Sequence, residues 1–172
     1  MIVLGIDPGT AATGYGIVTD HSGESRPGGG GSLSLVECGV IRTAPRDALS
    51  VRLCGLYDEV CAIIARHKPN VLAIEDVFYA KNVRTTVVLG HARGVVLLAA
   101  QQSGMAISEY PPAEIKKTVV GAGAATKEQV QFMVARLLRL KRAPQPNDAA
   151  DGVAAALAYL MTARVPRLTR AR

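Results

Sequence analysis

The sequence has few of the residues that most often mark a site. It contains no tryptophan, two phenylalanines, three histidines and three cysteines in 172 residues. Cys38, Cys54 and Cys61 form no C-x-x-C pair, so neither a disulfide framework nor a zinc site is expected. Cys54 and Cys61, seven apart on a predicted helix, are expected to be reduced core residues. No apolar run reaches the length of a membrane span, and no charged segment precedes the apolar N-terminal stretch. Both absences predict a soluble, cytoplasmic protein. The glycines between His21 and Ser34, four of them consecutive at Gly28–Gly31, are followed by no Lys-Ser/Thr and make no phosphate cradle. With Pro27 among them they predict a flexible hairpin extension, an apparent insertion at residues 22–33.

What the chain does have is apolar bulk and unevenly placed charge. An apolar content of 49% and a mean hydropathy of +0.21 indicate a packed α/β protein. The length suits a single domain, set at residues 1–164, with 165–172 an acid-free, Arg-rich tail expected to be disordered. The net charge is +6, but residues 1–76 hold six basic and nine acidic side chains, a net −3. Residues 77–147 hold ten and three, a net +7, and residues 148–172 hold four and two, a net +2. Acids early and bases late suit a polyanion gripped around an acidic centre, although an ordinary solvated basic surface gives the same sum.

The first eighteen residues organise the rest. Ile2, Val3, Leu4 and Ile6 read as a buried strand that ends in Asp7-Pro8-Gly9, and Gly14–Val18 reads as its return. Leu35–Ile41 then predicts a third strand. Asp7 has two readings at this point: an acid bonded to its own turn, or one that holds a cation. The strand-acid-Gly-Thr pattern occurs both in metal-dependent nucleases of the ribonuclease H-like fold and in ATP-binding actin-like kinases.

Leu49, Leu53, Leu56, Val60, Ile63 and Ile64 have helical spacing over residues 48–67. Val71–Ile74 is a buried strand that ends in Glu75-Asp76, and a parallel pairing would set Glu75 beside Asp7 at the carboxyl edge. Residues 84–103 are apolar nearly all round a helix, which therefore needs either a subunit interface or complete burial in its own domain. Ala106–Ser108 is a short strand, and Lys116 and Lys117 follow the break at Pro111-Pro112. Thr126 and Gln129 form a capping box that opens a helix to Leu138, with Lys127 in its first turn beside a glycine-rich loop. The last helix, over 148–163, opens with Asp148 and Asp151 at i, i+3 on one face. Either acid alone is a common feature of a first helical turn. Ala149, Ala150 and Gly152 around them allow a close approach to strands.

Four acids at the ends of buried elements repel one another, and divalent cations relieve that. All-oxygen ligands favour Mg²⁺ or Mn²⁺. Two such ions about 3.5–4 Å apart activate water and stabilise the leaving oxygen of a phosphodiester.

GIDPGT…TGYG, AIEDVFYAKN, LGHARGV, KKTVVGAG and NDAADGVAAAL, in that order, resemble the RuvC family of Holliday junction endonucleases over Met1 to about Ala163. The resemblance implies a ribonuclease H-like fold, with a mixed five-stranded sheet flanked by helices. It places the catalytic and metal-holding acids on Asp7, Glu75, Asp148 and Asp151, with two Mg²⁺ per site. It also implies DNA contacts at Phe78, Tyr79, Lys81, Arg84, Lys116, Lys117 and Lys127, with Phe78 stacking on a base; core packing is the alternative for Phe78. A homodimer, paired nicks with 5′-phosphate ends and the RuvA–RuvB branch-migration machinery as partner are implied as well. Glu75 is expected to orient or deprotonate the attacking water. An actin-like kinase would need two lobes where 172 residues supply one. A non-catalytic junction-binding module would not need four intact acids.

Overall fold

The computed structural model describes residues 1–21, 33–76 and 83–164. Its elements are β1 (Ile2–Asp7), β2 (Ala12–Asp20), β3 (Leu33–Arg42), α1 (Leu49–His67), β4 (Val71–Glu75), α2 (Val83–Gln102), β5 (Ala106–Tyr110), α3 (Pro112–Val120), α4 (Lys127–Leu137) and α5 (Asn147–Arg164). The five strands form one mixed sheet in the order β3-β2-β1-β4-β5. The β1–β2 and β2–β3 pairs are antiparallel hairpins, and β1–β4 and β4–β5 are parallel crossovers.

Strand alternation divides the core in two. Val3, Val18, Val71 and Ala73 face α3, α4 and α5, whose Ile115, Val119, Val130, Val134, Val153 and Leu157 cover them. Leu4, Ile6, Ile17, Leu72 and Ile74 face α1 and α2, packed by Leu56, Val60, Ile63 and Val96. The central strands are buried on both faces, which explains their unbroken apolar runs.

Several expectations change at the margins. The hairpin extension is shorter than residues 22–33, because Leu33 already pairs with Asp20 in the β2–β3 ladder. The remainder of that stretch, residues 22–32, and the tail 165–172 lie outside the described residues. Cys54 is exposed and so not a core residue, whereas Cys61 is half-buried against the α1/α2-side core; both are free thiols. The Pro111-Pro112 pair, which reads only as a break, in fact starts α3: Pro112 takes the first helical position, where no backbone N–H is needed.

α2 also departs from expectation, since it is 20 residues long and its most apolar 18-residue stretch has a mean hydropathy of 1.3, enough to cross a bilayer by length and composition. Here it packs on α1 and the β5 side of the sheet through Ala92, Val96, Ala99 and Ala100. Its other side is bare, with Val83, Val87 and Leu98 at 80%, 51% and 52% exposure.

Candidate active site

Asp7 and Glu75 end adjacent parallel strands. The β1–β4 ladder runs to Ile6↔Ile74, so the two acids are the next residue on each strand, at the carboxyl edge. Both share the face of Val3, Val71 and Ala73, the face that carries α5.

α5 reaches that edge because side chains are missing beneath it. A Cβ on Gly14 would stand 1.8 Å from the Asp148 carbonyl oxygen, and one on Gly5 would stand 2.1 Å from the Gly152 oxygen. A Cβ on Gly152 would lie 2.6 Å from the Tyr15 Cα. The helix backbone thus rests directly on β1 and β2, and Gly14 is the residue paired with Asp7. This contact brings Asp148 and Asp151, one turn apart, over the strand acids.

The electrostatics record the convergence. Asp7 is pushed up to about 7, first by burial and then by the charges of Glu75, Asp151 and Asp148, with Lys127 pulling it down. Glu75 is also raised to about 7, by burial and by Asp151, against Lys127 and Lys116. The turn that follows is closed by the Gly9 N–H donating to Thr13 Oγ1 (3.4 Å). Burial beside three other acids is what distinguishes Asp7 from the acid of an ordinary turn.

Lys127 Nζ donates to Asp151 Oδ2 at 3.0 Å. It sits in the first turn of α4, which is fixed by the predicted capping box: the Gln129 N–H donates to Thr126 Oγ1 and the Thr126 N–H to Gln129 Oε1. Among the described residues no three acidic, histidine or cysteine side chains are drawn to one point at ligating distance. Like carboxylates that Lys116 and Lys127 oppose only in part are expected to stand apart. The donor set itself, four coupled carboxylates without nitrogen or sulfur, fits a hard divalent cation.

Residues 3–159 match the profile of the crossover junction endodeoxyribonuclease RuvC. The chain belongs to the RuvC family. It is 46% identical over 159 residues to the RuvC of Pelotomaculum thermopropionicum, covering 92% of each chain. The solved RuvC of Thermus thermophilus superposes with a TM-score of 0.84 at 33% identity, over 95% of this chain and 96% of that one. A second Thermus structure, RuvC in complex with Holliday junction substrate, gives 0.84 at 30% identity, over 96% and 97%. The fold is therefore ribonuclease H-like, and the chain is a nuclease of the crossover-junction class.

Of the residues to which the RuvC resemblance points, the structure brings Asp7, Glu75, Asp148, Asp151, Lys116 and Lys127 into one electrostatic neighbourhood. Lys117 lies beside Lys116 on α3 but is exposed, and Arg84 is exposed in the first turn of α2. Phe78, Tyr79 and Lys81 lie outside the described residues. Two features escape the sequence reading. The contact of Gly5, Gly14 and Gly16 with α5 is signalled only by the alternate spacing of Gly14 and Gly16 in a strand, where glycine often marks a close backbone approach. The other is Arg93, in the middle of an otherwise mostly apolar helix, which pairs with Asp76 and Glu109.

Proposed function

We propose that this chain resolves four-way DNA junctions by paired, metal-assisted hydrolytic cuts, with Asp7, Glu75, Asp148 and Asp151 as its catalytic and metal-holding acids. The observation that carries this reading is the convergence of four acidic charges at one sheet edge, two of them raised to about 7. Asp7, Glu75, Asp148 and Asp151 would hold two Mg²⁺ or Mn²⁺ ions, which would supply activation of a water and stabilisation of the charge on the leaving oxygen. Glu75 orients or deprotonates the attacking water. Lys127 is the resident counter-charge of Asp151 and passes to a DNA phosphate when the junction arrives. Lys116, which faces Glu75, grips the same backbone, and Lys117, Lys81 and Arg84 extend the basic track. Phe78 and Tyr79 contribute stacking faces, Phe78 at an unpaired base of the crossover.

Residues 1–164 work as one nuclease domain, and two copies form a C2 dimer through α2. The support is a groove lined by Leu53, Val87, Gly90, His91, Gly94, Val95 and Leu98, where a Cβ on Gly90 or Gly94 would meet nothing within 4 Å. A closed two-fold presents two identical sites to a two-fold junction, as paired symmetric cuts require; the family resemblance implies that these leave 5′-phosphate ends. The family resemblance further implies work in the cytoplasm alongside RuvA–RuvB.

Asp7→Asn and Asp148→Asn test the site. Both are expected to abolish cleavage and keep junction binding, which rests on phosphate contacts these changes leave alone. Normal cleavage by Asp7→Asn at saturating Mg²⁺ would remove the metal-site assignment.

A further inference from the structure

Behind the acid cluster, on the α2 face of the sheet, a second set of charges closes over the same strand ends. Glu75 points towards α5, so the next residue, Asp76, points the other way. On β5, Tyr110 packs with the α5-side core and Ile107 with the α2-side core, so Glu109 also faces α2. Arg93 meets both acids: its Nη2 lies 3.4 Å from Asp76 Oδ1 and is ion-paired with Glu109 Oε2. The Arg93 side chain is only 17% exposed, and its Nε is buried with no hydrogen-bond partner among the described residues. Placing a guanidinium there is costly unless something fixes it, because desolvating a charge is compensated only by good pairing. The backbone is tied at the same point, where the Asp76 N–H donates to the Tyr110 carbonyl at 2.8 Å.

We propose that Arg93 is a positioning residue for the nuclease reaction. It clamps the carboxyl ends of β4 and β5 to α2, which fixes the strand end from which Glu75 projects on the opposite face. The clamp sits on the helix whose bare face is the proposed dimer surface. A shift of α2 is thereby transmitted to the acid cluster through Asp76. This inference rests on the reading of Glu75 as a metal-holding acid.

The test compares Arg93→Ala, Arg93→Lys, Asp76→Asn and Glu109→Gln in the full chain. It measures single-turnover cleavage at saturating junction, junction affinity without divalent cation, and the Mn²⁺ concentration that half-saturates the thermal shift of the DNA-free protein. Arg93→Ala is expected to cleave about tenfold slower or worse, the penalty of a misplaced acid, while its junction affinity stays within about threefold of wild type. Its Mn²⁺ midpoint is expected to rise several-fold. Arg93→Lys, which keeps a charge but loses the forked geometry, is expected to recover part of both. Asp76→Asn should act more strongly than Glu109→Gln, because Asp76 adjoins Glu75. A wild-type rate and Mn²⁺ midpoint in Arg93→Ala, whatever its melting temperature, would overturn the proposal. So would losses of cleavage, affinity and stability that run in step across the four variants. If Arg93→Ala does not fold, Arg93→Lys and Glu109→Gln decide, and unchanged rates and midpoints in both would overturn it. Failure of the underlying metal-site reading looks different: Asp7→Asn would then cleave like wild type.

Discussion

Gly14→Ala isolates the contact that seats α5 on the sheet. A methyl group at residue 14 would stand 1.8 Å from the Asp148 carbonyl oxygen and 2.5 Å from its carbonyl carbon, both backbone atoms with no rotamer to turn aside. Ordinary contact begins at 3.4 Å, so relief requires the start of α5 to lift by more than an ångström. The residue 14 backbone is one that alanine adopts without strain, so the effect is purely steric. α5 is held down by buried Ala149, Ala150, Val153 and Leu157, so the lift resembles an overpacked core and costs about 1–3 kcal/mol. Asp148 and Asp151 move with the helix, and a misplacement of about 1 Å at reacting groups costs about a hundredfold in rate. Gly55→Ala on α1 is the control: its Cβ meets nothing within 4 Å, and alanine in a helix interior is worth about 0.5–1 kcal/mol over glycine. Single-turnover junction cleavage and thermal unfolding of both variants decide the matter. Gly14→Ala with wild-type rate and melting temperature would refute the argument that glycine contact places the α5 acids.

Three further outcomes follow from the same structure. Asp7 and Glu75 are raised to about 7, well above the ordinary carboxylate range, so the native state holds more protons than the unfolded chain between about pH 4 and 7. Metal-free stability should therefore fall as pH rises through that window and level off above it, and Asp7→Asn should flatten the slope; Glu37, lowered to about 2 chiefly by its Arg66 hydrogen bond, acts in the opposite sense below the window. Lys127→Gln removes the counter-charge of Asp151, so the Mn²⁺-induced rise in melting temperature should exceed that of wild type while cleavage slows; an unchanged rise would separate Lys127 from the acids. Leu98→Glu places a charge at the centre of the bare α2 face and should split the dimer by light scattering and uncouple the paired nicks; a wild-type chain monomeric at tens of micromolar that still cuts in pairs would refute the α2 interface.

The fold was legible where one physical signal dominated. β-branched runs marked β1 and β4, the acids at their ends pointed to the carboxyl edge, and the capping box placed the start of α4. Asp148 and Asp151 were visible as a helical i, i+3 pair, but their approach to Asp7 depends on backbone contact at Gly5, Gly14 and Gly152, which no single-strand pattern specifies. α3 was hidden because Pro111-Pro112 breaks a chain as readily as it opens a helix, although Ile115 and Val119 at i, i+4 carry the helical signal. Cys54 shows the limit of periodicity: it occurs among apolar residues on α1 yet is exposed, because the sheet covers only the stripe of Leu56, Val60, Ile63 and Ile64. Arg93 was illegible because its two partners come from separate places in the chain, Asp76 just past β4 and Glu109, 16 residues away, in β5.

The central claim is that four acids on β1, β4 and α5 hold the cations for junction cleavage. Incubating the wild-type chain with an end-labelled four-way junction, with Mg²⁺ and with EDTA, tests it most directly. Two symmetric nicks with 5′-phosphate ends in Mg²⁺, and intact but bound junction in EDTA, are the expected result. Cleavage that persists in EDTA, or a bound junction left uncut at saturating Mg²⁺ and Mn²⁺, would contradict the account.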